Sequence, residues 1–158
     1  MGQTDMNLTL RAMNDADLPE VERLENSLFS DPWPLPAFEE HLVEEEAGGL
    51  VAETDGRMVA YACYRFECGE VRLTNIAVDP QYRRKSIAKQ ILAHILGLAR
   101  ERECELILLE VRVSNDTARR FYEASGFTAV DRCRRYYESP VEDALVMMRR
   151  VDAARGDE

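Results

Sequence analysis

The chain has 158 residues, of which 46% are hydrophobic and 32% are charged, and its formal net charge is -10. This length suits one ordinary domain with a sizeable core, and we expect residues 1–151 to form that domain and residues 152–158 to be a frayed tail. The acidity argues against a nucleic-acid-binding surface and favours a basic partner. Because no apolar run of 18 residues and no signal peptide are present, we expect a cytoplasmic protein that has no membrane partner.

Neither disulfides nor a metal site is expected. The two histidines are far apart in the sequence, and the four cysteines form no Cys-x-x-Cys pair. Zinc sites and redox-active pairs depend on such spacings. Of the four, which are Cys63, Cys68, Cys104 and Cys133, all but Cys68 lie in apolar or strand-like contexts, so they are predicted to be free thiols that act as small apolar groups.

The first half of the chain predicts two helices and several strands. A strand over residues 8–13 is followed by a helix over about residues 16–27, which Asp15 should cap. Prolines exclude regular structure from residues 29–36, so this segment should be a stiff loop. An acidic helix over about residues 37–46 should end at Gly48-Gly49. Turns at Asp55-Gly56 and Cys68-Gly69 should join three antiparallel strands, at residues 50–54, 58–67 and 70–78.

The second half predicts two more helices around a central strand. Apolar residues recur at helical spacing from Ile87 to about Arg102. The apolar run at residues 106–111 is typical of a strand that is central in a sheet and buried on both faces. Asn115 should cap a short helix that ends before Gly126, and a Ser139-Pro140 turn should join two last strands. These elements span residues 116–124, 128–136 and 144–151.

Four cations lie where the third helix begins, and they include both lysines of the chain: Arg83, Arg84, Lys85 and Lys89. Cations in the first turn of a helix are disfavoured by about 0.3–1 kcal/mol each, because the helix dipole is positive there. A bound anion would reverse this penalty. The alternative is a solvated basic loop that pairs with some of the many acidic side chains.

The order of these elements, together with the motif at residues 121–127, resembles the GNAT superfamily of acetyl-CoA-dependent N-acetyltransferases. The resemblance implies an α/β fold with a mixed, mostly antiparallel sheet of about seven strands and about four flanking helices. Five motifs narrow it to the ribosomal-protein alanine N-acetyltransferases of the RimI type, at residues 29–33, 75–80, 109–115, 134–137 and 142–144. The implied acceptor is the N-terminal alanine α-amine of a small-subunit ribosomal protein.

The resemblance also implies acetyl-CoA as co-substrate and no metal. Residues 83–88 look like the pyrophosphate loop of the superfamily, in which Gly usually stands where this chain has Ser86. If that position needs a positive φ, Ser in place of Gly costs about 1 kcal/mol. If Gly is needed because the backbone lies close to the phosphate, the Cβ of Ser crowds the phosphate. The Ser hydroxyl could instead donate a hydrogen bond to a phosphate oxygen. We expect a weakened or retuned affinity. The resemblance implies three sets of coenzyme contacts. The first is a strand edge that stays unpaired because the strands splay, at Ile76, Ala77 and Val78, and the second is Asn115, which is equally a simple helix cap. The third is the start of the helix, at Arg83, Arg84, Lys85, Ser86, Ile87, Ala88 and Lys89.

Two residues are the implied proton acceptor and donor. Glu110 ends the apolar strand, and partial burial would raise the pKa of its carboxyl towards the operating pH, as a general base requires. The alternative is a strand-end carboxylate paired with a neighbour such as Arg112. Tyr122, with an ordinary phenol pKa of about 10, would protonate the departing thiolate, unless it is only an aromatic packed on the sheet.

Aromatic side chains are expected to line the channel for the acceptor terminus, namely Trp33, Tyr136 and Tyr137, although core packing would explain them as well. Acidic residues 39, 40 and 44–46 would attract a basic ribosomal protein, or are simply a solvated helix face. Two other functions remain open: acetylation of lysine side chains or small amines, and a non-catalytic acetyl-CoA-binding module. We expect a monomer or a weak dimer.

Overall fold

The computed structural model describes residues 7–83 and 86–152, and within them seven strands form one sheet in the order β1-β2-β3-β4-β5-β7-β6. All neighbouring strands are antiparallel except β4 and β5, and four α-helices flank the sheet. The fold predicted from the sequence is therefore confirmed. The elements are β1 (Thr9–Ala12), α1 (Leu18–Leu28), α2 (Leu35–Val43), β2 (Ala47–Thr54), β3 (Arg57–Glu67), β4 (Glu70–Val78), α3 (Ile87–Glu101), β5 (Leu106–Arg112), α4 (Asp116–Ala124), β6 (Thr128–Glu138) and β7 (Val141–Arg150).

The entry into α1 differs from the prediction that Asp15 caps a helix from residue 16. Asn14 is the capping residue: its side chain accepts from the Ala16 N–H at 2.9 Å, while Asp17 accepts from the Asn14 N–H at 2.8 Å. This reciprocal pair begins a short 3-10 turn at Asp15–Asp17, and α1 follows from Leu18. Asn14 and not Asp15 is the cap because the backbone of Asn14 is extended (φ -133°), which brings its side chain to the first free N–H groups of the turn.

The predicted bounds of the second helix were wrong at both ends. α2 begins at Leu35, inside the predicted loop, because Pro36 lies in the first turn, where a missing N–H costs no intrahelical bond. It ends at Val43, and Gly48 and Gly49 lie in β2 instead of stopping a helix. A Cβ at Gly48 would lie 2.9 Å from the Tyr64 hydroxyl oxygen, so this glycine permits close packing.

Both predicted hairpin turns are confirmed. Asp55 and Gly56 have φ of 53° and 72°, and Cys68 and Gly69 have φ of 49° and 77°. Consecutive positive φ values are what tight two-residue hairpins require. The resulting meander of β2, β3 and β4 supplies one half of the sheet.

The sheet opens between β4 and β5. These parallel strands pair only where Glu70–Arg72 face Leu106–Leu108, and beyond that point they separate. Where β3 pairs with β4, Cys63 faces Asn75 and Tyr64 faces Leu73, so Thr74 is an extra residue in β4. Such a bulge reverses the alternation of side chains between the two faces of the sheet. Leu73 therefore packs towards α3, while Asn75 contacts α1 on the other face.

Each face of the sheet has its own apolar core. Helices α3 and α4 cover one face, and α1 and α2 cover the other. Strand β5 is central, as predicted, but the expectation that both of its faces are buried was wrong: Ile107, Leu109 and Val111 are buried, whereas Leu106 and Leu108 are only partly so. The second face of β5 borders a cavity, because α1 and α2 pack on the neighbouring strands.

The remaining elements agree closely with the sequence prediction. Helix α4 has the predicted bounds, and Gly126 follows it with φ of 96°. The last two strands are longer than predicted, and the predicted frayed tail lies outside the described residues from residue 153 onwards. Within the described ranges, no helix is both long and apolar enough to cross a membrane.

Candidate active site

A cavity of about 690 Å³ lies where β4 and β5 separate. Side chains from both faces of the sheet line it: Leu109 and Val111 belong to the α3 face, whereas Glu110 and Arg112 alternate to the other. The cavity therefore crosses the sheet and is open to groups that approach from either side. Its other walls come from residues 73–76, 29–33 and 136–138 and from Glu25, Asn115, Ala118 and Tyr122.

Glu110 lies in this cavity on the face of α1 and α2. Its side chain is 17% exposed, and the Arg72 guanidinium donates to its Oε2 at 2.6 Å. Arg72 is the last β4 residue paired with β5, so the end of the pairing places this cation beside Glu110. The alternative interpretation, a strand-end carboxylate paired with an arginine, therefore describes Glu110 as well, but the partner is Arg72 and not Arg112, which binds Asp31 and Glu142.

Tyr122 reaches the same cavity from the opposite face. It lies on α4, is 7% exposed, and packs against the rings of Phe121 and Phe127 with centroids 5.3 and 5.6 Å away. Burial raises the pKa of the Tyr122 phenol, with a smaller contribution from Tyr137. The phenol therefore keeps its proton at neutral pH.

The splayed edge of β4 has the unpaired backbone that the resemblance implied. Ile76, Ala77 and Val78 pair with β3 on one side, and in the described part of the chain no strand pairs with them on the other. Ile76 lines the cavity. Backbone groups that face the gap at this edge can bind an extended ligand in the manner of an added strand.

Helix α3 begins at Ile87, nine residues after β4 ends at Val78. Ser86 adopts φ 64° and ψ 19°, in the left-handed region, so of the two reasons for Gly at this position the positive φ applies. Its side chain makes no capping hydrogen bond, and the first-turn N–H groups of Ile87, Ala88 and Lys89 have no intrahelical acceptor. The Ile87 side chain is buried in the core, so only its backbone is available.

The four cations predicted at the start of α3 do not share one location in the structure. Arg83 is exposed after a short 3-10 turn, and Arg84 and Lys85 lie outside the described residues. Lys89 lines a separate groove between α3 and the end of α4, together with Ser125 and Arg149. Ile76 and Asn115 are the members of the predicted coenzyme set that line the cavity.

Asn115 is a true helix cap, because its Oδ1 accepts from the Ala118 N–H at 3.1 Å. This bond uses the carbonyl side of the amide and leaves the NH2 group as a donor at the cavity wall. Capping and coenzyme contact are therefore compatible in one side chain.

All three aromatic residues predicted for the channel line the cavity. Trp33 also packs on Phe38 with a centroid distance of 5.2 Å, so for this residue both interpretations hold. Tyr136 is 51% exposed and is not a core residue. Burial, together with the charges of Tyr136 and Glu110, raises the pKa of Tyr137 to about 12.

The role of Arg112, which ties two loops together at the cavity mouth, was not predicted from the sequence. Its guanidinium donates to five acceptors, all between 2.9 and 3.2 Å away: Ser30 Oγ, Asp31 Oδ2, the Ser139 and Pro140 carbonyls and Glu142 Oε1. These acceptors belong to the α1–α2 loop and the β6–β7 hairpin. Their separation in the sequence hid the cluster.

Glu25 was also missed, although it is a buried carboxylate in the cavity wall. It is 3% exposed and lies on the apolar face of α1 with Leu18, Val21 and Leu24. A charged residue at an apolar helical position was the signal that could have found it.

Comparison with known proteins agrees with this geometry. Residues 18–127 match the Acetyltransferase (GNAT) family. Over 141 residues the chain is 31% identical to the ribosomal protein bS18-alanine N-acetyltransferase of Escherichia coli (strain K12), covering 88% of this chain and 95% of that protein. It is 34% identical over 148 residues to the N-alpha-acetyltransferase RimI of Mycobacterium tuberculosis, covering 90% and 92%.

A solved structure gives the same result at the level of the fold. The crystal structure of the ribosomal-protein-S18-alanine N-acetyltransferase from Escherichia coli superposes with a TM-score of 0.85 and 29% identity, covering 96% of this chain and 98% of that one. The match extends over the helices and strands that build the cavity. The chain therefore belongs to the GNAT family of acetyltransferases and is an acyltransferase.

Proposed function

We propose that this protein acetylates the N-terminal alanine α-amine of ribosomal protein bS18 in the cytoplasm, by direct transfer from acetyl-CoA. The observation that carries the proposal is the cavity through the sheet, with Glu110 on one face and Tyr122 on the other. The names of the Escherichia coli relatives supply the acceptor. We also propose that residues 1–151 form a single acetyltransferase domain, since strands from both ends of the described chain share one sheet.

The geometry supports an acid and a base that act on opposite sides of the reacting carbon. An α-amine with a pKa of about 7.7–8.0 is about one tenth neutral at pH 7, so it needs only modest help to lose its proton. Glu110 accepts that proton on the α1 face as the nitrogen attacks. Tyr122 donates its proton to the departing sulfur from the α4 face.

Acetyl-CoA supplies the acetyl group as a thioester, and the residues present fit such a molecule. The free edge at Ile76, Ala77 and Val78 would hold the acetyl and pantetheine portion, and the N–H groups of Ser86, Ile87, Ala88 and Lys89 would face the pyrophosphate. The basic side chains of the segment add charge of the required sign: Arg83, Arg84, Lys85 and Lys89. The Asn115 amide would add one further donor.

The acceptor side of the cavity favours a small first residue. Trp33, Tyr136 and Tyr137 bring bulky rings to its wall, and Arg112 holds the two loops that carry them. Of the described residues that line the cavity, none is a cysteine, which agrees with direct attack of the amine and no acetylated enzyme.

The acceptor is tested with two peptides that contain lysine and differ only at the α-amine. One begins with a free alanine, and the other has its α-amine blocked by a formyl group. We expect thiol release and one added acetyl group, located by mass spectrometry, with the free peptide alone. Equal acetylation of the blocked peptide would show that lysine side chains are the acceptors, and binding of acetyl-CoA without thiol release would indicate a non-catalytic module.

The roles of Glu110 and Tyr122 are tested by Glu110→Gln and Tyr122→Phe. Each should lower kcat by about 10²–10⁴, because a positioned acid or base contributes that much, while acetyl-CoA still binds. Glu70→Gln is a matched control at the far end of β4 and should retain activity. Full turnover in both site variants would rule out the assigned acid and base.

A further inference from the structure

Glu25 is held in the cavity wall by three donors from three different segments. Its Oε1 accepts from the Tyr61 hydroxyl, and its Oε2 accepts from the Trp33 N–H at 3.0 Å and from Asn75 Nδ2 at 3.3 Å. Burial and the charge of Glu25 raise the pKa of the Tyr61 phenol, which therefore remains a donor. The carboxylate is thus fixed in position on the face of the sheet that carries α1.

The structure shows no cation bonded to Glu25 within residues 7–83 and 86–152. Burying a carboxylate is costly unless it is paired, and neutral donors compensate only part of that cost. Glu110 differs, because Arg72 already binds it at 2.6 Å. Of these two carboxylates in the cavity, Glu25 is therefore the one with a negative charge that no bonded cation in the described structure balances.

Asn75 supplies a second acceptor at the same place. It is 8% exposed, and its Oδ1 is buried without a hydrogen-bond partner among the described residues. The bulge at Thr74 turns this side chain to the α1 face, and its own NH2 group binds Glu25. A buried carbonyl oxygen with no donor is uncommon in native proteins and indicates a missing partner.

We propose that Glu25 and Asn75 form a subsite that binds the protonated α-amine of the incoming acceptor before Glu110 removes its proton. An ammonium group matches the site because it offers three donors and one positive charge, and the site offers one unpartnered acceptor and one unneutralised carboxylate. This inference rests on the proposed function and divides the work between two carboxylates: Glu25 holds the amine and Glu110 takes its proton.

The test compares two peptides for binding to the enzyme saturated with CoA, in which no transfer can occur. One begins with alanine, and the other carries a propionyl group in its place, which keeps the methyl group and removes the ammonium. The wild type should bind the alanine peptide at least about tenfold more tightly, as a charge-assisted hydrogen bond predicts. Glu25→Gln should remove most of this preference, and Asn75→Ala should reduce it.

Two further variants separate the subsite from its neighbours. Glu110→Gln should keep the preference, since in this scheme it acts after binding, and Glu20→Gln, on the exposed side of the same helix, should keep both affinity and preference. Thermal unfolding of each variant shows whether it is folded. If Glu25→Gln does not fold, Asn75→Ala and the wild-type preference decide the question.

Wild-type turnover with the alanine peptide is measured first, because its absence overturns the proposed function and this inference together. Turnover with no preference between the two peptides overturns the subsite alone. A preference that survives both Glu25→Gln and Asn75→Ala also overturns the subsite. The same holds for a preference that is lost in Glu110→Gln and kept in the other two variants.

Discussion

Ser86 shows how a single backbone angle accounts for a departure from the family pattern. With φ at 64°, this residue occupies a region that glycine enters freely and that costs other residues about 1 kcal/mol. The side chain is exposed and makes no capping bond, so nothing in the described contacts offsets the strain. The strain lies at the helix start that would hold the pyrophosphate.

Replacement of this residue tests the strain directly. Ser86→Gly should raise Tm by about 2–4 °C, because the left-handed strain is relieved in a chain of this size, and should bind acetyl-CoA at least as tightly as the wild type. Differential scanning calorimetry and calorimetric titration measure the two effects. Ala93→Gly, at an ordinary helical position of α3, is the control and should lower Tm. Markedly tighter binding by the wild type would mean that the hydroxyl itself contacts the coenzyme.

Individual site residues differed in how well the sequence revealed them. Glu110 and Tyr122 were predicted from short, ordered motifs, and both line the cavity. Glu25 and Arg112 were not, because their importance depends on partners that are distant along the chain. Asn75 is 50 residues from Glu25, and Asp31 is 81 residues from Arg112.

Two irregular elements of the fold are joined by Arg112 at the cavity mouth. Strand β5 carries this residue, and its side chain bridges the α1–α2 loop and the β6–β7 hairpin. Asp31 adds to the tie by accepting from the N–H groups of Glu138 and Ser139, which lower the pKa of the Asp31 carboxyl. The two loops therefore form a single wall.

A weaker tie should impair acceptor binding more than coenzyme binding. Arg112→Lys retains the charge but replaces a planar group of five donors by a single ammonium, so it cannot serve five acceptors. We expect KM for the acceptor peptide to rise about tenfold, roughly the loss of one charge-assisted hydrogen bond, with little change in acetyl-CoA affinity. Steady-state kinetics measure both. Arg132→Lys, which disturbs an exposed ion pair on β6, should leave KM unchanged; an equal rise there would show a general effect of Arg-to-Lys changes.

Secondary structure was predicted best where local signals are strong. The turns at Asp55-Gly56 and Cys68-Gly69 and the helix α4 agree with the structure, because turn chemistry and capping act over a few residues. The bounds of α2 were wrong, since glycines that serve packing in β2 look the same in sequence as a helix stop. The bulge in β4 left no signal in the sequence, and it is what turns Asn75 to the α1 face.

The molecule as a whole holds many carboxylates in their charged form. Hydrogen bonds from arginines or from backbone and side-chain donors lower the pKa of six of them, namely Asp17, Glu20, Asp31, Glu53, Glu142 and Asp143. Burial lowers the pKa of His41, which is 2% exposed and whose Nε2–H donates to the Gly48 carbonyl. In each case the unfolded chain binds a proton more readily than the folded one.

Stability should therefore fall towards acid in two stages. The His41 contribution is complete above its ordinary pKa of 6.5 and is lost as the pH falls below it, and the carboxylate contributions are lost below about pH 4.5. Urea unfolding between pH 7 and pH 3 measures both. Asp17→Asn should flatten the lower stage, whereas Glu39→Gln, on an exposed helix face, should not. A free energy of unfolding that rises towards acid would contradict the assignment.

The sequence by itself determined the antiparallel meander of β2, β3 and β4 and its turns, because periodicity and turn residues are local. Short motifs, through their resemblance to the GNAT superfamily, predicted the whole sheet and the acid and base candidates. Only the tertiary structure decided which groups share the cavity. The separation of β4 from β5 opens the sheet, the bulge at Thr74 turns Asn75 towards Glu25, and Arg112 closes the mouth. Each of these depends on contacts between segments that are remote along the chain, and packing free energy rather than local preference fixes such contacts.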